Sequence, residues 1–363
     1  MQDKDINTAR ETQAGRRAFV KGAAVVAGAA ALGAPAIVLG QNRRLVTRDP
    51  GGPFTKAFSQ AFYEPFKKAT GITVVGVASE SEPSGMVKAM VESRNYRWDM
   101  AHLSNSTHMS LAKLGHLEPI AGPKGLGPNV SKIPANMRGE FILGVDVYAT
   151  VIAYRTDTVK KPPQSWKDFF DTKGFPGLRS LRKNPYDTIE EALLADGVPP
   201  SQLYPLDLDR AFRKLSQIKK EVGVWWENGA QTSQLLKTGE VDMIPAWNGR
   251  AQVAIDDGAP VKLVWNQGIW TFEGFTILKG GPNVALCREF LEFCAQPQQQ
   301  AIFTETLTYG PTAPDAFKYI KPERAKLLPN NPEYFASLTQ ANAEYWGKHK
   351  DAITDRYNSW LLS

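Results

Sequence analysis

The sequence predicts an α/β protein, and three observations predict it. Strand-like apolar runs alternate with amphipathic helical runs along most of the chain. The 363 residues are 42% hydrophobic and 22% charged, which places them among globular proteins and excludes disorder and collagen-like repeats. Only 2 Cys are present, so no disulfide framework builds the fold. The length suffices for two domains of roughly 150 residues.

The opening reads as an export address. A polar stretch gives way to Gly15-Arg16-Arg17-Ala18-Phe19-Val20-Lys21 and then to a small-sided apolar run, Gly22 to Leu32. Paired arginines, a following Phe, a Lys and a weakly hydrophobic core form the twin-arginine signal pattern. Ala34-Pro35-Ala36 has the form that signal peptidases cut, so residues 1–36 are expected to be removed, with a cut near Gly40 as the other possibility. A membrane span needs about 20 apolar residues, and this run is shorter. No Cys follows it to take a lipid. The mature chain is therefore expected in a bacterial periplasm.

Leu45-Val46-Thr47 reads as the first strand. Lys56 to Thr70 follows as a helix, because Phe58, Phe62 and Phe66 recur at four-residue spacing and Gly71 can close it. Ile72 to Val77 is the second strand. Gly85 to Ser93 is the next helix, with Met86, Val87 and Met90 expected inward, and Met100 to Leu103 is the third strand. Breakers at Lys160 to Pro163 and Phe175-Pro176-Gly177 surround a short helix, Trp166 to Phe170, in a unit that begins near Thr150.

Further on, Ile189 to Leu194 and Leu208 to Ile218 read as helices, the latter capped by Asp207. Gln231 to Thr238 is a helix and Val241 to Ala246 a strand. Val261 to Trp265 and Gly274 to Leu278 read as two strands separated by a Gly/aromatic turn. Cys287 and Cys294 lie seven apart in a helical stretch, Val284 to Ala295, about 10 Å of rise. That is too far for them to bond each other, so both are expected to be buried free thiols.

The formal charge of +6 is mild, and the leader holds five basic residues against three acidic ones. No stripe of Lys and Arg interleaved with aromatics follows residue 44, so nucleic acid is not an expected partner. Enzyme motifs are missing too: no G-x-S-x-G elbow, no H-E-x-x-H, no C-x-x-C and no Walker loop. Gly122 to Gly127 is glycine-rich but broken by Pro123 and Lys124, and reads as a loop. His102, His108 and His116 lack the spacing of a ligand set, and His102 reads as a hydrogen-bonded core histidine. No metal or cofactor is expected.

What stands out is a set of tryptophans beside apparent Asn-Gly turns. They lie in Trp225-Trp226-Glu227-Asn228-Gly229, in Ala246-Trp247-Asn248-Gly249-Arg250, and in the segment Trp265 to Glu273. A cleft lined by such residues suits a small organic cation or a solute with an apolar stem.

These segments also carry a resemblance. Gly239 to Gly249 with its Trp-Asn-Gly, the Gly258-Ala259-Pro260-Val261 step, Gly268 to Ile277, the helix Ala285 to Cys294 and the turn Tyr309-Gly310-Pro311-Thr312 resemble the solute-binding proteins of ABC importers, in the spermidine/putrescine-binding branch. The resemblance covers the whole mature chain. It implies the two-lobed type II periplasmic binding fold, each lobe a mixed sheet flanked by helices, with the solute in the cleft and the lobes closing on it. The lobes would be residues 37–150 with 272–320, and 151–271 with 321–363, hinged near Thr150 and at Thr271 to Gly274. The implied role is capture of a small amine-bearing solute, a polyamine, by a monomer that delivers it to an ABC permease in the inner membrane, without catalysis.

Position by position, the resemblance makes Trp247 an aromatic wall against the solute's methylenes and Glu273 the acid that takes an ammonium. Ser104, Asn105 and Ser106 would bring polar contacts from the first lobe, Asp187 an acid from the second, and Tyr309 an aromatic near the cleft; Trp226 joins this set from its own aromatic segment. This sequence also departs from the pattern. Asn184, preceded by Arg182 and Lys183, stands where polyamine binders place an acid beside Asp187, and the family's aromatic is missing at Asn105-Ser106. A second ammonium loses its partner there. Two readings of Arg182 stay open: a carboxylate clamp, which points to a zwitterion such as an ω-amino acid, or a solvated loop charge.

Overall fold

The computed structural model describes residues 43–79 and 83–363. The expected export signal and its cleavage site lie outside the described residues. A single mixed sheet of ten strands organises the chain, flanked by helices. The strands are β1 (Arg44–Asp49), β2 (Thr73–Ala78), β3 (Met100–Ser104), β4 (Leu117–Glu118), β5 (Leu143–Arg155), β6 (Arg179–Arg182), β7 (Val222–Trp226), β8 (Met243–Trp247), β9 (Val261–Leu278) and β10 (Thr339–Gln340). Their order is β2-β1-β3-β9-β5-β8-β6-β7, with β4 and β10 attached to β9.

Two long strands form the centre. β5 and β9 pair antiparallel from Leu143↔Phe275 to Arg155↔Val261. β3 adds antiparallel to one end of β9, its last residue Ser104 opposite Glu273. β8 adds antiparallel to the other end of β5, its last residue Trp247 opposite Thr150. β1 and β2 extend the first half in parallel and β6 and β7 the second. The parallel strands of the two halves thus point their carboxyl ends at the same stretch of β5 and β9. In α/β sheets this is where ligands bind, because loops and helix starts gather at the carboxyl ends.

The helix foreseen at Lys56 to Thr70 starts earlier, with Pro53 at its first position, and runs as α-helix Pro53–Phe58, a π stretch Ser59–Tyr63 and α-helix Glu64–Thr70. Gly71 at φ 75° ends it. Its Phe58, Phe62 and Phe66 are buried against Phe275, Phe290 and Phe303. A second core gathers Trp166, Phe169, Leu193 and Leu215 with Trp346 and Tyr357 of the last helix, Ala343–Leu362. A third lies between β8 and the helices Gly229–Thr238 and Asn248–Asp256. Asp207 caps the helix Leu208–Ile218 as expected, accepting from the Arg210 amide at 3.0 Å. No described helix is long and apolar enough to cross a membrane.

Three expectations are corrected. Met86 is 45% exposed, whereas Val87 and Met90 of the same helix are buried. The ten-residue helix Ser84–Ser93 buries only a narrow stripe, and Met86 lies off it. The Gly/aromatic turn is absent, because β9 continues through it. Residues 265–268 instead bulge from the ladder, since Thr150 pairs Ile269 while Ile152 pairs Val264, and Gln267 takes φ 63° there. The Asn-Gly pairs are helix starts rather than turns. Asn228 caps Gly229–Thr238 through the Gln231 amide, and Asn248 opens the helix after β8.

Cys287 and Cys294 are buried and unbonded on the helix Val284–Cys294, and burial pushes both thiols above their ordinary pKa. A thiolate is the reacting species. Ellman's reagent should therefore leave both thiols unlabelled in the native protein and label both in denaturant. The melting temperature should be the same with and without reductant.

Candidate functional site

A cavity of about 470 Å³ opens where the two sets of strand ends meet. From the first half it takes the loop after β1, Arg48 to Phe54, and His102, Ser104 and Ser106 around the end of β3. The second half contributes Arg182, Asn184 and Tyr186 after β6, Glu227 to Ala230 after β7, and Trp247 and Arg250 around the end of β8. Tyr148 of β5, Glu273 of β9, Tyr309 and Lys350 complete it.

The Trp-Asn-Gly segment shows how local sequence shapes this site. Trp247 ends β8 and turns its ring to the cavity, edge-on to Tyr148 with centroids 6.0 Å apart. Asn248 is fully buried. Its Oδ1 accepts from the Ala149 amide at 3.0 Å and its Nδ2 donates to the Thr308 carbonyl at 2.8 Å, tying β8, β5 and the strand-like approach to Tyr309 together. Gly249 leaves room for Tyr309, because a Cβ there would lie 2.7 Å from the ring's Cδ1. Tyr309 in turn packs on Phe54 and Tyr148. Burial raises the phenols of Tyr148 and Tyr309 above their ordinary range, so both stay neutral donors.

Arg182 enters the cavity, which favours the clamp among the two readings of its role. Its guanidinium carbon sits 5.3 Å from the Trp226 ring and 5.0 Å from the Trp247 ring, within cation–π range of both. Behind it Asp187 approaches to 3.8 Å and is itself fixed by the Thr150 hydroxyl at 2.7 Å. Arg250 lies over Phe54 at 6.0 Å, with its charge near the Tyr309 phenol. Arg48 is committed to the backbone, donating to the carbonyls of His102 at 2.6 Å and Ser79 at 2.5 Å. Of the two lining carboxylates, Glu227 is 62% exposed and paired with Lys183, which leaves Glu273 as the acid set into the cavity floor.

Ser104, Ser106, Arg182, Trp247, Glu273 and Tyr309 thus come together around one cavity. Asp187, Asn105 and Trp226 do not line it. Asp187 is 1% exposed and faces Thr150 and Arg182, because its backbone turns into the helix Thr188–Ala195 away from the cavity. Asn105 is the first residue of the helix Asn105–Lys113, and its side chain faces a different cavity beneath that helix. Trp226 is fully buried, packed edge-on behind Trp247 with centroids 5.5 Å apart.

The sequence reading missed Arg250, Phe54, Tyr148 and Tyr186. Arg250 directly follows the Trp-Asn-Gly, so its signal was a cation one residue into a helix start. Tyr148 lies in an apolar strand run with no signal of its own. His102 is a buried histidine as foreseen, its Nε2 3.2 Å from Asp146 Oδ2. Among the described residues, His102, Asp146 and Glu273 are the grouping close enough to hold a metal ion, with ligand atoms within 4.8 Å. The Arg48 guanidinium, which donates to the His102 carbonyl, lies beside that grouping.

The fold and this cleft define a two-lobed periplasmic binding protein. The chain belongs to the bacterial extracellular solute-binding family, whose model matches residues 61–336. Proteins of this family bind small solutes and deliver them to ABC permeases. The chain is similar to the gamma-aminobutyric acid-binding protein of Pseudomonas aeruginosa, 34% identical over 325 residues, 88% of this chain and 91% of that protein. It is also similar to the spermidine/putrescine-binding periplasmic protein of Escherichia coli, 24% identical over 309 residues, 83% of this chain and 86% of that protein. Among solved structures, the Atu4243-GABA receptor superposes with a TM-score of 0.81 at 33% identity, covering 88% of this chain and 98% of that one.

Two substitutions test the architecture of the site. Asn248→Ala leaves the buried Ala149 amide and Thr308 carbonyl without partners, and should destabilise the protein by about 2–4 kcal/mol in chemical denaturation. Gly249→Ala should force the Tyr309 ring out of place, at a cost of about 1–3 kcal/mol, with an altered near-ultraviolet circular dichroism of the aromatic cluster.

Proposed function

We propose that this protein is the periplasmic capture component of an ABC importer for a zwitterionic ω-amino acid such as 4-aminobutyrate. The solute carboxylate lies on Arg182 and Arg250, its ammonium on Glu273, and its methylenes against Trp247 and Tyr309. The observation that carries the reading is Arg182 itself, a guanidinium that lines the cavity against the corner formed by two indoles. A carboxylate matches a guanidinium fork in geometry and charge. A diamine would bring its second ammonium to a wall holding two arginines and Asn184, where the lining acid, Glu227, is exposed and already paired with Lys183. The GABA-binding relative and the GABA receptor structure support the same class, and the polyamine-binding relative is more distant.

Capture closes the cleft. The two halves of the sheet share β5 and β9, and register shifts at Gly144/Asp146 and Thr150/Ile152 interrupt the ladder on either side of the cavity. Rotation about these two strands brings Glu273 and Ser104 of one half toward Arg182 and Trp247 of the other, and the solute's contacts to both favour the closed state.

The test is calorimetry of the purified protein with 4-aminobutyrate, putrescine and spermidine. The ω-amino acid should bind and the polyamines should not; the reverse order would overturn the reading. Glu273→Gln should weaken 4-aminobutyrate by on the order of 1–3 kcal/mol, the cost of losing a charged hydrogen bond. Arg182→Gln should weaken it by a similar amount and lower the thermal stability of the empty protein, because buried Asp187 loses its cation. Small-angle scattering should report a smaller radius of gyration at saturation.

A further inference from the structure

We propose that Asp187 is the internal counter-ion of Arg182, which the solute carboxylate displaces electrostatically, so that capture of the solute takes up a proton at Asp187. This inference rests on the reading of Arg182 as the carboxylate clamp.

The geometry places one carboxylate against Arg182, out of the cavity. Asp187 stands at the N-cap position of the helix Thr188–Ala195, yet its side chain makes no capping bond. It is held at φ 70° and ψ −43°, a region that L side chains rarely occupy. From there its Oδ2 accepts from Thr150 at 2.7 Å and reaches Arg182 Nη1 at 3.8 Å. In the empty cleft Arg182, with its side chain 17% exposed, has this one carboxylate as its anionic partner. A solute carboxylate arriving on the other side of the guanidinium brings a second negative charge to a single cation. Two anions flanking one buried cation leave an uncompensated charge, and burial makes that expensive. Protonation of Asp187 removes it.

The surroundings make this the group that responds. Glu190 and Glu191 face Asp187 from its own helix, and both are buried. Glu190 Oε1 is fixed by the Tyr204 hydroxyl and the Trp346 indole, each at 2.6 Å. Tyr148 of β5 and Tyr186 also lie within reach of its charge, and burial keeps both phenols neutral. Tyr357 of the last helix donates to the Arg182 carbonyl at 2.8 Å. Burial raises Asp187 to about 6, against the opposing pull of Arg182 and the Thr150 hydroxyl, so its charge changes within the range a periplasm meets. Glu190 sits at about 7 and Glu191 well above its ordinary value, both raised by burial.

The sign follows from linkage. A group whose pKa is higher in the complex than in the free protein gives tighter binding below its free pKa and loses that gain as pH rises through the bound pKa. If the solute raises Asp187 by about one unit, affinity changes about tenfold. The experiment is isothermal titration of the full-length protein with 4-aminobutyrate from pH 5.5 to 8, each pH in two buffers of different ionisation enthalpy. The solute carboxyl, with an ordinary pKa of about 4, stays ionised throughout. Wild-type protein should bind about tenfold more tightly at pH 5.5 than at pH 8 and take up a fraction of a proton near pH 6.5. Asp187→Asn should bind at pH 8 at least as tightly as wild type, with a flat profile and no proton uptake there.

A flat wild-type profile without proton uptake overturns the proposal and leaves the ω-amino acid reading standing. Retention of the slope in Asp187→Asn assigns it to another group, such as the His102–Asp146 pair, and also overturns it. Weaker binding of Asp187→Asn at pH 8 makes Asp187 a mere support for Arg182, with the same consequence. Wild-type protein that binds putrescine and not 4-aminobutyrate overturns both readings. The buffer comparison on wild type needs no variant, so a result without proton uptake overturns the proposal even where Asp187→Asn fails to fold.

Discussion

The antiparallel pairing of β5 with β9 is the constraint on which the rest of the molecule depends. Thirteen and eighteen residues long, these two strands run through both halves of the sheet. Every other strand is hung from one end or the other of this pair, directly or through a neighbour. Because β3 docks on β9 with Ser104 opposite Glu273, and β8 docks on β5 with Trp247 opposite Thr150, the carboxyl ends of both halves are aimed at one place. No side chain chooses that location. It follows from register, and register in a strand buried along its length is fixed by which residues face the core. Twelve of the thirteen residues of β5 are buried, which is why the strand cannot slip.

Around this frame, rigidity and chemistry rest on different residues. Asn248 and Gly249 touch no cavity, yet they fix the approach of β5 and Tyr309 to Trp247, one by two hydrogen bonds and the other by having no side chain. They are what makes the Trp-Asn-Gly segment legible as a family feature. The lining charges on which the proposed solute chemistry rests, Arg182, Arg250 and Glu273, lie on three different strands or helix starts. A scaffold of this kind can exchange its solute chemistry without disturbing its frame, because altering a lining charge leaves the staple and the clearance intact.

The limits of sequence reading follow from the same division. Elements with strong local signals were legible: the Phe58, Phe62, Phe66 stripe, the Asp207 cap, the Gly71 stop and the helix with Cys287 and Cys294. β9 was read as two strands because Gln267 and Gly268 look like a turn, and only pairing with β5 on both sides reveals a bulge within one strand. Glu273 and Trp247 could be placed because they sit in segments that carry the resemblance. Tyr148 and Phe54 could not, since an aromatic in an apolar run gives no sign of which side of a sheet it meets. Asp187 is expected to face the solute because the resemblance places an acid of the second lobe there, and its positive φ, with which it turns toward Thr150, is a property of the folded chain.

That misplacement of Asp187 bears on how the site handles charge. An exposed acid beside Arg182 would favour cations, and the cleft would then be a polyamine site with an incidental arginine. Withdrawn behind the guanidinium, the same carboxylate does the reverse. It lies behind Arg182, whose guanidinium rests against Trp226 and Trp247, and it does not line the cavity, so the face that Arg182 turns there is positive. Glu273, on the far side of the same cavity and opposite Ser104, supplies the negative pole. The distance between the two poles is set by the β5–β9 frame, so the length of solute that can satisfy both is determined by the pairing of those two strands and by how far the cleft closes around them.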